Sequence, residues 1–177
     1  MKEISWNKAI ELGSPYPYVL VTTISDKGRP NIIGISWWTI VSWNPRMMAI
    51  VVGLNKQTSR NLEHNKEFVV CFPSEEQVKG AWFCGTVSGK KYDKFKETGF
   101  KAVPSKVVRP PIIANSTLAY ECQVVSEVKT GDHILYIADV VAIHGSPELA
   151  KHLVTIRYDK LISMDYKGYL NFDLEFK

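Results

Sequence analysis

Tyr18-Val19-Leu20-Val21-Thr22-Thr23-Ile24-Ser25-Asp26-Lys27-Gly28-Arg29-Pro30-Asn31-Ile32-Ile33-Gly34-Ile35-Ser36 reads as two extended runs around a tight turn. Tyr18–Ile24 is rich in Val, Thr and Ile. Asn31–Ser36 continues in the same register beyond Asp26-Lys27-Gly28-Arg29, so the segment predicts an antiparallel hairpin. Working outward, Ser5 can cap a short helix through Leu12 that Gly13 ends. Met47–Val52, an apolar run after Pro45, and Glu67–Phe72 read as buried strands, with a short helix over Thr58–Asn65 between them. Ser74-Glu75-Glu76-Gln77 is a capping-box pattern that opens a second helix toward Trp82. Thr117–Val128 alternates, with Leu118, Tyr120, Cys122 and Val124 on one face and Glu121 and Gln123 on the other. A turn at Thr130-Gly131-Asp132 then leads into Ile134–Ile143, apolar on both faces.

Strands outnumber helices, hairpins recur, and no repeated βαβ unit is present. The pattern predicts a mainly β fold, an antiparallel barrel with short peripheral helices rather than a doubly wound sheet. Without an internal repeat, low-complexity tract or linker, residues 1–177 read as one domain. A chain of 177 residues that is 45% hydrophobic and 23% charged has the balance of a globular domain with a real core. Met1–Ser14 mixes charged and single apolar residues and does not resemble a targeting signal. The strongest apolar run, Met47–Leu54, is far short of the roughly 20 residues of a membrane span. A cytoplasmic protein with no membrane association is expected.

Cys71, Cys84 and Cys122 are odd in number and widely spaced, which predicts buried thiols rather than a disulfide framework. The Asn115-Ser116-Thr117 sequon carries little weight without a secretory signal. The net charge of +4 is unevenly spread. Lys90–Arg109 holds seven basic residues against Asp93 and Glu97, a local field suited to an anionic ligand such as a phosphate-bearing cofactor. Nucleic acid is not expected as a partner, since the chain has neither a helical DNA-reading motif nor an RNP-like aromatic signature.

Most enzyme signatures are missing. There is no GxGxxG. Gly85-Thr86-Val87-Ser88-Gly89-Lys90 has three residues between its glycines where a P-loop has four, and no Ser or Thr follows the lysine. No HExxH or clustered Asp/Glu/His set offers a metal site, and the four histidines are scattered. With no nucleophile–base pair in view, chemistry would come from a bound cofactor.

Two segments suit one. Ser36-Trp37-Trp38-Thr39-Ile40-Val41-Ser42-Trp43-Asn44-Pro45 reads as a loop whose hydroxyls and N–H groups face a planar heteroaromatic ring while indoles shield it. The same tryptophans also fit plain core or dimer filling. Lys56-Gln57-Thr58-Ser59-Arg60-Asn61 offers hydroxyls, a helix N-terminus and an arginine fork to a phosphate, or simply a helix cap with a solvated arginine. Ser88-Gly89-Lys90-Lys91 adds a small-residue turn with paired lysines.

In this order, the hairpin, the Ser36–Pro45 segment, Thr58-Ser59-Arg60-Asn61, Ser88-Gly89-Lys90-Lys91 and Gly131-Asp132-His133 resemble the flavin reductase-like FMN-binding split barrels. The match spans nearly the whole chain. The double tryptophan and SGKKYDKF are most similar to the branch of flavoredoxins, archaeal ferric reductases and FMN-binding proteins. The resemblance implies a six-stranded antiparallel Greek-key split barrel and a homodimer with non-covalent FMN near the subunit interface. It assigns Trp37, Trp38, Thr39 and Ser42 to the isoalloxazine environment, and Thr58, Ser59, Arg60, Ser88 and Lys91 (or Lys90) to the ribityl phosphate. His133 falls beside the flavin or the nicotinamide, as a catalytic-site histidine or only as a turn cap, and Tyr166 near a ring-covering aromatic position. Two departures stand out: Pro45-Arg46 where the family often has Pro-Pro, and Ala138 where a glycine is common.

The activity so implied is hydride transfer from NAD(P)H to bound FMN and onward delivery of electrons to a second acceptor. No side chain need act as a general base. The rival expectation is a flavoredoxin-like electron carrier without its own nicotinamide site, and a third is a barrel that binds no flavin.

Overall fold

The structure, a computed structural model, describes residues 1–146, 151–156, 159–165 and 170–175. Its elements run α1 (Trp6–Leu12), β1 (Tyr16–Pro17), β2 (Val19–Ile24), β3 (Pro30–Ile35), β4 (Trp38–Ser42), β5 (Met47–Gly53), α2 (Gln57–His64) and β6 (Glu67–Phe72). They continue with α3 (Val78–Thr86), α4 (Lys94–Thr98), β7 (Ala102–Val103), β8 (Ile112–Ile113), β9 (Leu118–Thr130), β10 (His133–Gly145), β11 (Lys151–Ile156), β12 (Lys160–Asp165) and β13 (Leu170–Glu175). Seven strands form one sheet in the order β3-β2-β6-β9-β10-β5-β4, and β1-β11-β12-β13 form a second. Every pairing is antiparallel. The fold is therefore mainly β with short helices, as the sequence implies.

The β2–β3 hairpin pairs Val19 with Ile35 through to Ile24 with Pro30. The apolar run Val19-Leu20-Val21 has a physical cause: β2 is buried on both faces. Val19 and Val21 join one core with Ile50, Phe68 and Tyr136, while Tyr18 and Leu20 join another with Val69, Ala81 and Leu161. Each such fully buried aliphatic side chain contributes about 1.5–3 kcal/mol. The helix caps also follow the sequence. Ser5 Oγ accepts from Lys8 N at 3.3 Å, and Ser74 N donates to Gln77 Oε1 at 3.0 Å in a capping box. All three cysteines are free and buried, and burial pushes the Cys71 and Cys84 thiols up to about 12.

Three features differ from expectation. First, Ser36–Pro45 is not a loop: Trp38–Ser42 is a strand paired with β5 from Trp38↔Ile50 to Ser42↔Met47. Its Trp-Thr-Ile-Val content suits an edge strand, and it makes the main sheet seven-stranded rather than six-stranded. Second, Glu121 lies on a buried face, fully enclosed. It accepts hydrogen bonds from Lys106 N (2.7 Å), Val107 N (2.6 Å) and Val108 N (3.1 Å), and pairs with His144 Nε2 at 2.6 Å. Burial alone would raise its carboxyl pKa, but these donors outweigh it and hold the group below the usual carboxylate value. An alternating strand can hide a charge when a loop brings N–H groups to it. Third, the chain after β10 adds a second sheet. Tyr18 N donates to Leu153 O at 2.9 Å, and the Ser36 and Thr155 hydroxyls meet at 3.2 Å, so this sheet packs beside the hairpin. Tyr166 and Tyr169 lie outside the described residues, and of Leu170, Phe172 and Leu174 only the backbone, in β13, is described.

Candidate functional site

Three pockets lie side by side along β3, each sharing lining residues with its neighbour. The first, about 300 Å³, is lined by Ile33–Trp37, the end of β5, Trp82 on α3, and His133. The Trp37 and His133 rings lie 4.9 Å apart at 42°. Tyr18 also lines it, its hydroxyl donating to Ala81 O at 3.0 Å, and burial pushes the phenol pKa upward so that it stays a neutral donor. A Cβ on Gly34 would lie 1.8 Å from that hydroxyl, and one on Gly85 2.4 Å from it. Glycine at both positions lets β3 and α3 close over the tyrosine.

The second pocket, about 250 Å³, shares Ile33, Lys56, Gly85 and Thr86 with the first. It is polar: Asn31, Thr58, Ser88, Lys56 and Lys94 line it. No side chain caps α2, so its first-turn N–H groups are available to an anion or water. Asn31 Nδ2 donates to Thr58 Oγ1 at 3.1 Å and fixes that hydroxyl. Lys94 is only 4% exposed, and its Nζ donates to Cys84 O at 2.6 Å, near the end of α3. A cation there is favoured by the helix C-terminus. Even so, the ammonium is lowered to about 8, chiefly by burial, with Cys84 acting in the opposite direction and the charge of Lys56 adding to the lowering. An anion in this pocket would relieve both penalties.

The third pocket, about 330 Å³, lies farther along and is rimmed by Arg29, Arg60 and Lys90. An aromatic cavity adjoining a cationic one fits a ligand with a flat apolar head and a phosphorylated tail.

The residues singled out from sequence divide among these places. Trp37 and His133 line the aromatic cavity, Thr58 and Ser88 the polar one, and Arg60 the outer one beside Lys90. Ser59 turns its hydroxyl to Gly53 O at 2.9 Å. Lys91 is exposed and donates its N–H to Ser88 O at 3.0 Å. Trp38, Thr39 and Ser42 sit on β4 and do not line these pockets. Trp38 packs edge-on against Phe72 at 5.2 Å, while Thr39 is exposed. His133 pairs through Nδ1 with Asp132 Oδ1 at 2.7 Å. That hydrogen bond, with the charge of His133, holds the Asp132 carboxyl below its usual range. Sequence reading did not single out Lys56, Lys94 or Trp82. Lys94 had two signals, its place in the basic Lys90–Arg109 segment and the Asp93 cap directly before it, whose Oδ1 accepts from Lys96 N at 3.3 Å. Its burial is a consequence of α4 docking on α3. Among the described residues no helix is long and apolar enough to cross a membrane.

Comparison with known proteins agrees with this architecture. An uncharacterised protein of Archaeoglobus fulgidus is 33% identical over 131 residues, covering 73% of this chain and 74% of its own. The FMN-binding protein of Thermus thermophilus, solved with p-hydroxybenzaldehyde, superposes with a TM-score of 0.78 at 20% identity, over 88% of this chain and 90% of that one. The Streptomyces globisporus NADH:FAD oxidoreductase SgcE6 gives 0.78 at 18% identity, over 94% and 98%. The family model described as flavin reductase like domain matches residues 12–161, and the chain belongs to that family.

Proposed function

We propose that the protein binds FMN non-covalently in these adjoining pockets and acts as an NAD(P)H-dependent flavin- or ferric-type reductase. The observation that carries the reading is that the aromatic cavity adjoins the cationic pocket at the start of α2, the two sharing Ile33, Lys56, Gly85 and Thr86. When bound, the flavin supplies acceptance of a hydride and release of electrons singly or in pairs. Trp37 and Trp82 give the ring apolar walls that exclude water. The α2 N-terminus, Thr58, Ser88, Lys56 and Lys94 answer the phosphate's charge. His133 stands at the edge of the aromatic cavity, where its ring can position a nicotinamide. The name of the Streptomyces relative supports a nicotinamide donor, and that of the Thermus relative supports FMN. Exposed Ile40, Val41 and Trp43 on and beside the edge strand β4 support a homodimer that covers them.

The purified protein is expected to be yellow, to oxidise NADH or NADPH, and to release FMN on acid treatment. A colourless preparation that takes up no flavin would refute the reading, and FAD as the main released species would refute FMN. One observation favours a carrier without its own nicotinamide site: Lys90, Lys91, Lys96, Lys101 and Lys106 are all exposed, cations open to an acidic protein partner. Electron exchange with such a partner but no NAD(P)H turnover would establish that alternative.

A further inference from the structure

The outer pocket has no task in the scheme above. Arg29, Arg60 and Lys90 converge on it, and no carboxylate lines it. None of the ion pairs among the described residues involves any of the three. Three like charges around one concavity repel one another, and an anion held between them reverses the sign of that contribution. Arg29 starts from a fixed turn, its N–H donating to Ser25 Oγ at 3.1 Å and its carbonyl accepting from Ser25 N at 2.9 Å. The pocket wall is set as well: Gln57 Nε2 donates to Asn61 Oδ1 at 2.8 Å, and Asn61 Nδ2 to Thr23 Oγ1 at 3.0 Å.

Asn31, Gln57 and Gly89 line both this pocket and the inner polar one, and so form the wall between them. A Cβ on Gly89 would lie 1.9 Å from Asn31 Oδ1, so a side chain there would push the wall apart. The inner pocket has its own cations, Lys56 and Lys94. Two adjoining anion sites with separate charges exceed what one phosphate monoester needs.

The geometry points to a second phosphate-binding subsite in the outer pocket, formed by Arg29, Arg60 and Lys90. It receives a phosphoryl group other than the one at α2. The source is either the second phosphate of a dinucleotide flavin or a phosphate of the nicotinamide donor. The choice of sources rests on the flavin reading above, whereas the subsite itself rests on the three cations.

The test compares the full-length protein with Arg29→Gln/Lys90→Gln and with Lys101→Gln/Lys106→Gln, which removes the same charge from exposed positions elsewhere. Calorimetric titration with inorganic pyrophosphate is expected to show at least about a tenfold loss of affinity in the first variant and none in the second. FMN affinity should stay within about twofold of wild type. A selective loss for FAD identifies the flavin's second phosphate as the occupant. A selective rise in KM for NADPH over NADH identifies the donor's extra phosphate. Unchanged pyrophosphate affinity, an equal loss in the second variant, or a parallel loss of FMN would overturn the proposal. Pyrophosphate binding that depends on these cations in a protein that takes no flavin would refute the flavin reading and leave the subsite standing.

Discussion

Replacing Lys94 with Met keeps most of the side-chain volume and removes the charge, which separates two opposing effects. In the folded chain the ammonium is lowered from 10.5 to about 8. At about 1.4 kcal/mol per pKa unit, and after allowance for partial solvation, holding it charged costs about 2–3 kcal/mol at neutral pH. Met removes that cost but also leaves Cys84 O without its donor, a loss of about 1–3 kcal/mol. Stability at pH 7 should therefore stay within about 2 kcal/mol of wild type. Between about pH 8 and the unfolded value of 10.5, the unfolded chain holds more protons than the folded one, so wild-type stability rises with pH across that window. The Met variant should lack this rise. Binding should respond in the other direction. Loss of a charge-assisted contact to the phosphate is worth about 1.5–3 kcal/mol, roughly a tenfold to hundredfold weaker FMN complex. Riboflavin, which has no phosphate, should bind both proteins alike. Flavin titrations followed by fluorescence, with urea melts at pH 7 and 9.5, measure all of this. Unchanged FMN affinity, or an equal loss for riboflavin, would refute the placement of Lys94 at the phosphate.

His133→Ala should raise KM for NAD(P)H or slow flavin reduction while FMN binding and melting stay at wild-type values. An unaltered reduction rate, cofactor affinity and potential would reduce His133 to a turn residue. Glu121→Ala strips the acceptor from three backbone N–H groups and from His144 and should cost about 3–5 kcal/mol in a urea melt. Because the Glu121 carboxyl is held below its usual 4.5, its contribution is present above that pH. It is lost as acid titrates the folded group, so the wild type should lose more stability than Glu121→Ala on going from pH 6 to pH 3. Sedimentation at micromolar concentration should show a dimer, and a monomer with flavin still bound would remove the role given to the β4 edge.

The sequence by itself determined the β2–β3 hairpin, the turn between β9 and β10, the helix caps and the order of motifs, because periodicity, turn residues and capping patterns act over a few positions. It also named Trp37, Thr58, Ser88, Arg60 and His133, each beside a turn or element end where chemistry is locally legible. It could not say that Trp38–Ser42 would find a partner in β5, since an edge strand is decided by the strand it meets. Nor could it bury Glu121, whose acceptors are filled by N–H groups from a loop more than ten residues earlier. Lys94 is the clearest case. In sequence it is one lysine among many, and only the docking of α4 against α3 desolvates it and turns it toward Cys84 and the polar pocket. The division of the phosphate region into two pockets also came from tertiary structure alone, because the Asn31–Gln57–Gly89 wall joins three segments that sequence distance keeps apart.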